Sequence, residues 1–65
     1  MNYGSTIKEL RMKLFLTQSE LANLLGVSFC CINRWENEKA IPTMKMKRKL
    51  NVLFLENGVN IDEKN

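Results

Sequence analysis

Residues 17–37 read TQSELANLLGVSFCCINRWEN, and the way helices are placed in this stretch decides the fold. Thr17 followed three residues later by Glu20 forms a capping box, in which each side chain satisfies a backbone N–H that the first helical turn leaves open. Leu21, Leu24 and Leu25 then recur at helical spacing, with small Ala22 beside them. Gly26 suits the left-handed position that ends a helix, and Ser28 is a good cap for the next one. These signals predict helices over roughly 18–25 and 29–36, joined by a turn of only Gly26, Val27 and Ser28. Ile32 and Trp35 share one face of the second helix. Phe29, Cys30, Asn33 and Arg34 point elsewhere.

Outward from this unit the pattern stays helical. Thr6 and Glu9 read as another capping box, with Ser5 as an alternative cap, and Ile7, Leu10 and Leu14 form a face, which predicts a first helix over roughly 6–14. Thr43 after Pro42 caps a helix over roughly 43–56 whose apolar face is Met46, Leu50, Leu53 and Phe54. Gly4, Gly26, Pro42 and Gly58 act as punctuation. The tail, 59–65, is short and polar. Met12, Met44 and Met46 read as core filler or helix edge. No stretch alternates with the period of a strand. The 65 residues make one domain, 1–65, with one small core.

Composition excludes several function classes. The chain contains no histidine, the commonest general base and metal ligand, so neither an enzyme nor a cofactor is expected. The two cysteines, Cys30 and Cys31, are adjacent and lack the spacing of a zinc site. A disulfide between neighbours is strained, so two reduced thiols in a reducing compartment are expected. The longest apolar runs have four residues, too few to span a membrane, and no signal-peptide pattern opens the chain. A cytoplasmic location is the expectation. Formal charge is +3 and unevenly spread. Residues 34–49 carry six basic residues against Glu36 and Glu38, whereas 56–65 are net acidic. A basic middle suits a polyanionic partner.

Two short helices joined by a glycine-led three-residue turn, with Leu21, Leu25, Val27, Ile32 and Trp35 able to pack between them, form a helix-turn-helix arrangement. In that arrangement the second helix enters the major groove of DNA. The stretch TQSELANLLGVSFCCINRWENEKAIP resembles the Cro/phage-repressor-type (XRE-like) helix-turn-helix proteins. The matching residues are Thr17-Gln18, Leu21-Ala22, Leu25-Gly26-Val27-Ser28, Ile32, Trp35-Glu36-Asn37 and Pro42, and the resemblance covers roughly residues 5–55. It implies an all-α, small lambda-repressor-like bundle of four to five helices. It further implies sequence-specific binding of double-stranded DNA by a bacterial or phage-encoded transcription regulator, expected to be a repressor and a homodimer on a palindromic operator. An antitoxin with a toxin partner is the alternative on the same fold.

The resemblance also distributes roles. Phe29, Cys30 and Arg34 are the expected base contacts, Phe29 through a thymine methyl and Arg34 through guanine O6 and N7. Gln18, Ser28, Asn33, Asn37, Lys39 and Lys45 are the expected contacts to the DNA backbone. Arg11 and Glu36 match a family ion pair that joins helix one to the end of helix three. Glu38 stands where the family commonly has glycine. Either Asn37 takes the left-handed position there, or the loop differs.

Overall fold

The computed structural model describes residues 3–59. Four helices follow in order: α1 (Tyr3–Lys13), α2 (Gln18–Leu25), α3 (Phe29–Glu36) and α4 (Met44–Glu56), with no strand among the described residues. Helix α3 packs against both α2 and α1, and α4 lies against α1. The fold is a small all-α bundle. Residues 60–65, most of the tail and the place where a fifth helix could start, lie outside the described residues.

Helix α2 is held at both ends by its own sequence. Thr17 Oγ1 accepts from Glu20 N at 3.1 Å, and Glu20 Oε1 accepts from Thr17 N at 2.8 Å. At the other end Gly26 sits at φ 76°, a conformation that glycine adopts without steric cost. Ser28 caps α3 by accepting from Cys31 N at 3.3 Å, and Thr43 caps α4 by accepting from Met46 N, also at 3.3 Å.

Helix α1 corrects the sequence-based expectation. It starts at Tyr3, so Ser5 and Thr6 are interior positions and the Thr6–Glu9 capping box does not define its start. Two distant contacts account for the extra turn. Gly4 lies so close to the end of α3 that a Cβ there would meet the carbonyl oxygens of Trp35 and Glu36 at 2.9 Å. Lys47 of α4 places its ammonium 5.3 Å from the centre of the Tyr3 ring, a cation–π geometry. Gly4 is therefore a close-approach residue inside a helix and not a break.

The core is built from the inward stripes of all four helices. Ile7, Leu10, Leu21, Ile32, Leu50 and Phe54 are fully buried, and Ala22, Leu25, Trp35, Met46 and Val59 close around them. Leu24 is an exception to the expected α2 stripe, since it is 56% exposed. At about 100° per residue, the buried face set by Leu21, Ala22 and Leu25 is centred about 100° away from Leu24. Of the three methionines read as filler or edge, only Met46 is buried; Met12 and Met44 are on the surface.

All four helices end in one hydrogen-bonding pattern. A residue two or three places beyond the end of each helix donates back to the fifth residue before it: Leu16 N to Arg11 O, Val27 N to Ala22 O, Lys39 N to Arg34 O and Val59 N to Phe54 O, at 2.8–3.0 Å. This is the Schellman closure, and it puts the residue before each of those donors in the left-handed region. Gly26 and Gly58 fill that place after α2 and α4, whereas Phe15 (φ 57°) and Glu38 (φ 59°) fill it after α1 and α3. The expectation for the α3 end is corrected accordingly. Asn37 has φ −93°, and Glu38 itself takes the left-handed conformation.

Candidate nucleic-acid interface

Helix α3 divides its residues cleanly. Ile32 and Trp35 are buried against α2 and α1, while Phe29, Cys30 and Arg34 are exposed. Phe29, Cys30, Asn33, Arg34 and Asn37 fall at i, i+1, i+4, i+5 and i+8, so they form one outward stripe. Phe29 is the large apolar member of that stripe and is 48% exposed. Cys30 and Cys31 are free thiols, the first exposed and the second half-buried. Ser28 is exposed at the tip of the turn.

Beside this stripe a chain of polar side chains ties α1, α2 and α3 together. Arg11 donates to both oxygens of the Glu36 carboxylate, Nε to Oε2 at 2.7 Å and Nη2 to Oε1 at 3.1 Å. Its remaining nitrogen, Nη1, donates to Leu16 O at 3.2 Å. Gln18 Nε2 donates to Glu36 Oε1 at 3.0 Å, and Asn33 Nδ2 donates to Gln18 Oε1 at 3.3 Å. Asn37 Nδ2 donates to the Asn33 backbone oxygen at 2.8 Å and to Asn33 Oδ1 at 3.2 Å. The Glu36 side chain is only 2% exposed. Burial on its own would raise its pKa, but the hydrogen bonds from Arg11 and Gln18, with the charge of Arg11, outweigh that and hold it below the ordinary carboxylate value. A bidentate guanidinium–carboxylate pair is the stronger and more directional kind of ion pair.

Apart from Ser28 at the turn, the expected site residues thus fall into separate groups. Phe29, Cys30 and Arg34 share the exposed face of α3. Gln18, Asn33 and Asn37 are linked to one another and to the Arg11–Glu36 pair. Lys39 follows the α3 end directly and is exposed, and Lys45 stands on the first turn of α4, also exposed. Of the neighbouring cations on α4, Lys47 is turned to Tyr3, and Lys49 borders an apolar groove lined by Leu24, Leu25, Val52 and Leu53. The Gln18–Asn33 link was missed in the sequence, because two amides fifteen positions apart leave no local pattern. Among the described residues, no cluster of histidine, cysteine, aspartate or glutamate could hold a metal ion. No helix among them is long and apolar enough to cross a membrane.

Comparison with known proteins agrees with this geometry. The HTH-type transcriptional activator BcrR of Enterococcus faecalis is 35% identical over 63 residues, which cover 97% of this chain and 29% of that protein. The chain thus spans less than a third of the length of the relative it matches. No solved structure gives a significant match. A family model described as helix-turn-helix matches residues 7–54, the segment from the first core residue of α1 to the last of α4. With that match over most of its length, and with the capped α2–turn–α3 unit inside it, the chain belongs to the Cro/phage-repressor-type helix-turn-helix family.

Proposed function

We propose that this domain binds double-stranded DNA with sequence preference, lays α3 in the major groove and regulates transcription from the bound site. The observation that carries the reading is the stripe of Phe29, Cys30 and Arg34 on a helix whose opposite face is locked into the core. Exposed apolar area beside an arginine suits a groove that offers thymine methyl groups and guanine acceptors. Gln18, Ser28, Asn37, Lys39 and Lys45 supply backbone contacts, which set register and give the salt-dependent part of the affinity. Two copies on a palindromic operator double the area read, since a single helix of this length covers about half a site. The domain acts by binding and not by catalysis, in the cytoplasm where the DNA is. Whether it represses or activates depends on where its site lies relative to the promoter. Covering the promoter excludes polymerase; binding beside it allows contact, and the Enterococcus relative is described as an activator.

Selection of bound fragments from random duplex DNA tests the reading. A two-fold symmetric consensus is the expected result. No enrichment at all would overturn it in favour of a protein-binding module, such as an antitoxin with its toxin. Against the selected site, Arg34→Ala should lose discrimination at one base pair by about tenfold or more, within the range of a bidentate arginine–guanine contact, while the helical content is unchanged. Undiminished discrimination would remove Arg34 from the reading face.

A further inference from the structure

The polar chain beside α3 has a direction, and one carboxylate sets it. Glu36 can only accept hydrogen bonds when ionised, and its side chain is buried, so the group facing it must donate. Gln18 meets Glu36 with Nε2. An amide has its nitrogen and oxygen at opposite corners, so committing Nε2 turns Oε1 the other way, where Asn33 Nδ2 donates to it. The same logic turns Asn33 Oδ1 outward, where Asn37 Nδ2 donates. Donors therefore run in one sense, from Asn37 through Asn33 and Gln18 to Glu36. Reversing Gln18 would set carbonyl against carboxylate. Each amide nitrogen carries two hydrogens, and the link to Glu36 uses one of those on Gln18.

Gln18 is the first residue of α2. The backbone N–H groups of that first turn have no partners within the helix and make a favourable place for a phosphate oxygen. An amide presented there helps only if its nitrogen, and not its oxygen, is on offer. We propose that Asn33 is a positioning residue, which steadies Gln18 in the sense that Glu36 sets, so that an amide hydrogen is offered to a DNA phosphate, and does not itself touch the duplex. The proposal rests on the DNA-binding reading. It also changes the role first expected of Asn33, from backbone contact to the brace of one.

Three variants test it: Asn33→Ala, Gln18→Ala and the double substitution. Alanine favours helix at both places, so the fold is kept. The probe is a short random-sequence duplex at low salt, because a phosphate contact is independent of sequence. Gln18→Ala should weaken binding about tenfold, as expected for one hydrogen bond to a charged group. Asn33→Ala should weaken it by up to the same factor, and the double variant should bind no worse than Gln18→Ala alone. Effects that multiply would mean that Asn33 contacts DNA independently, and would overturn the assignment.

The second readout needs no DNA. In the free protein, the two side-chain amide hydrogens of Gln18 should give well-separated NMR signals that move toward solvent-exposed values in Asn33→Ala. Signals that do not move would overturn the brace. Wild-type protein that binds no duplex would overturn the DNA-binding reading and this inference with it. The amide spectrum distinguishes that case, because it stays as described.

Discussion

Helix α2 closes through Gly26 at φ 76°, and helix α3 closes through Glu38 at φ 59°. The two ends use the same pair of backbone bonds, Gly26 N to Asn23 O with Val27 N to Ala22 O, and Glu38 N to Trp35 O with Lys39 N to Arg34 O. They differ in what enforces the turn. After α2 the residue itself favours it, and a Cβ at Gly26 would meet nothing within 4 Å. After α3 the residue opposes it, since a side chain in the left-handed region costs about 1–2 kcal/mol. The α3 end is held instead from outside, by Gly4 of α1 against its last carbonyls and by Arg11 on Glu36. One end is locally encoded and the other is imposed by packing.

That contrast can be broken most forcefully at Gly4. Gly4→Ala drives a methyl group into backbone that cannot swing aside, and should lower stability by about 2–3 kcal/mol, the usual effect of overpacking at a rigid contact. Chemical denaturation measures it, and a loss below half that size would mean that α1 can slide off the α3 end. Next in size is the ion pair. Arg11→Ala leaves a buried carboxylate without its cation and should cost about 2 kcal/mol, less than a fully buried pair because Arg11 is partly exposed. Since the Glu36 pKa is depressed in the folded state, its contribution is present above the unfolded value of about 4.3 and is lost as pH falls through the lower folded value. Acid titration of stability should therefore be flatter in Glu36→Gln than in the wild type over that window, and parallel curves would contradict the assignment.

The smaller effects set the two ends directly against each other. Gly26→Ala has room but not the right backbone preference, and should destabilise by about 1 kcal/mol. Glu38→Gly should do the reverse, stabilising by about 0.5–1 kcal/mol once the extra freedom of glycine in the unfolded chain is subtracted. Phe15→Gly, at the matching place after α1, should behave likewise. Thermal unfolding of the three variants side by side measures the comparison, and equal signs for Gly26→Ala and Glu38→Gly would refute it.

What could be read in the sequence follows the same division. Helices α2 and α3 were legible because Thr17, Gly26 and Ser28 state their limits locally. The start of α1 was not, because it is set by Trp35, Glu36 and Lys47, all far along the chain. Glu38 could not announce its own conformation, since nothing in glutamate favours it. The outward stripe of α3 followed from helical period alone once Ile32 and Trp35 were placed inside. Arg11 and Glu36 were paired only through the family resemblance, and the amides of Gln18 and Asn33 had no signal, because an amide's polarity is decided by its neighbours in space.

Trp35 is the chain's one tryptophan, 6% exposed, with its carbonyl against Gly4. The protein therefore carries an optical gauge at the junction of α3 with the rest of the bundle. A state in which α3 stays helical but leaves its seat would shift the emission to the red while the far-ultraviolet circular dichroism hardly changed. Loosening of α3 could thus be followed by light alone, without any label on the outward face proposed to meet DNA.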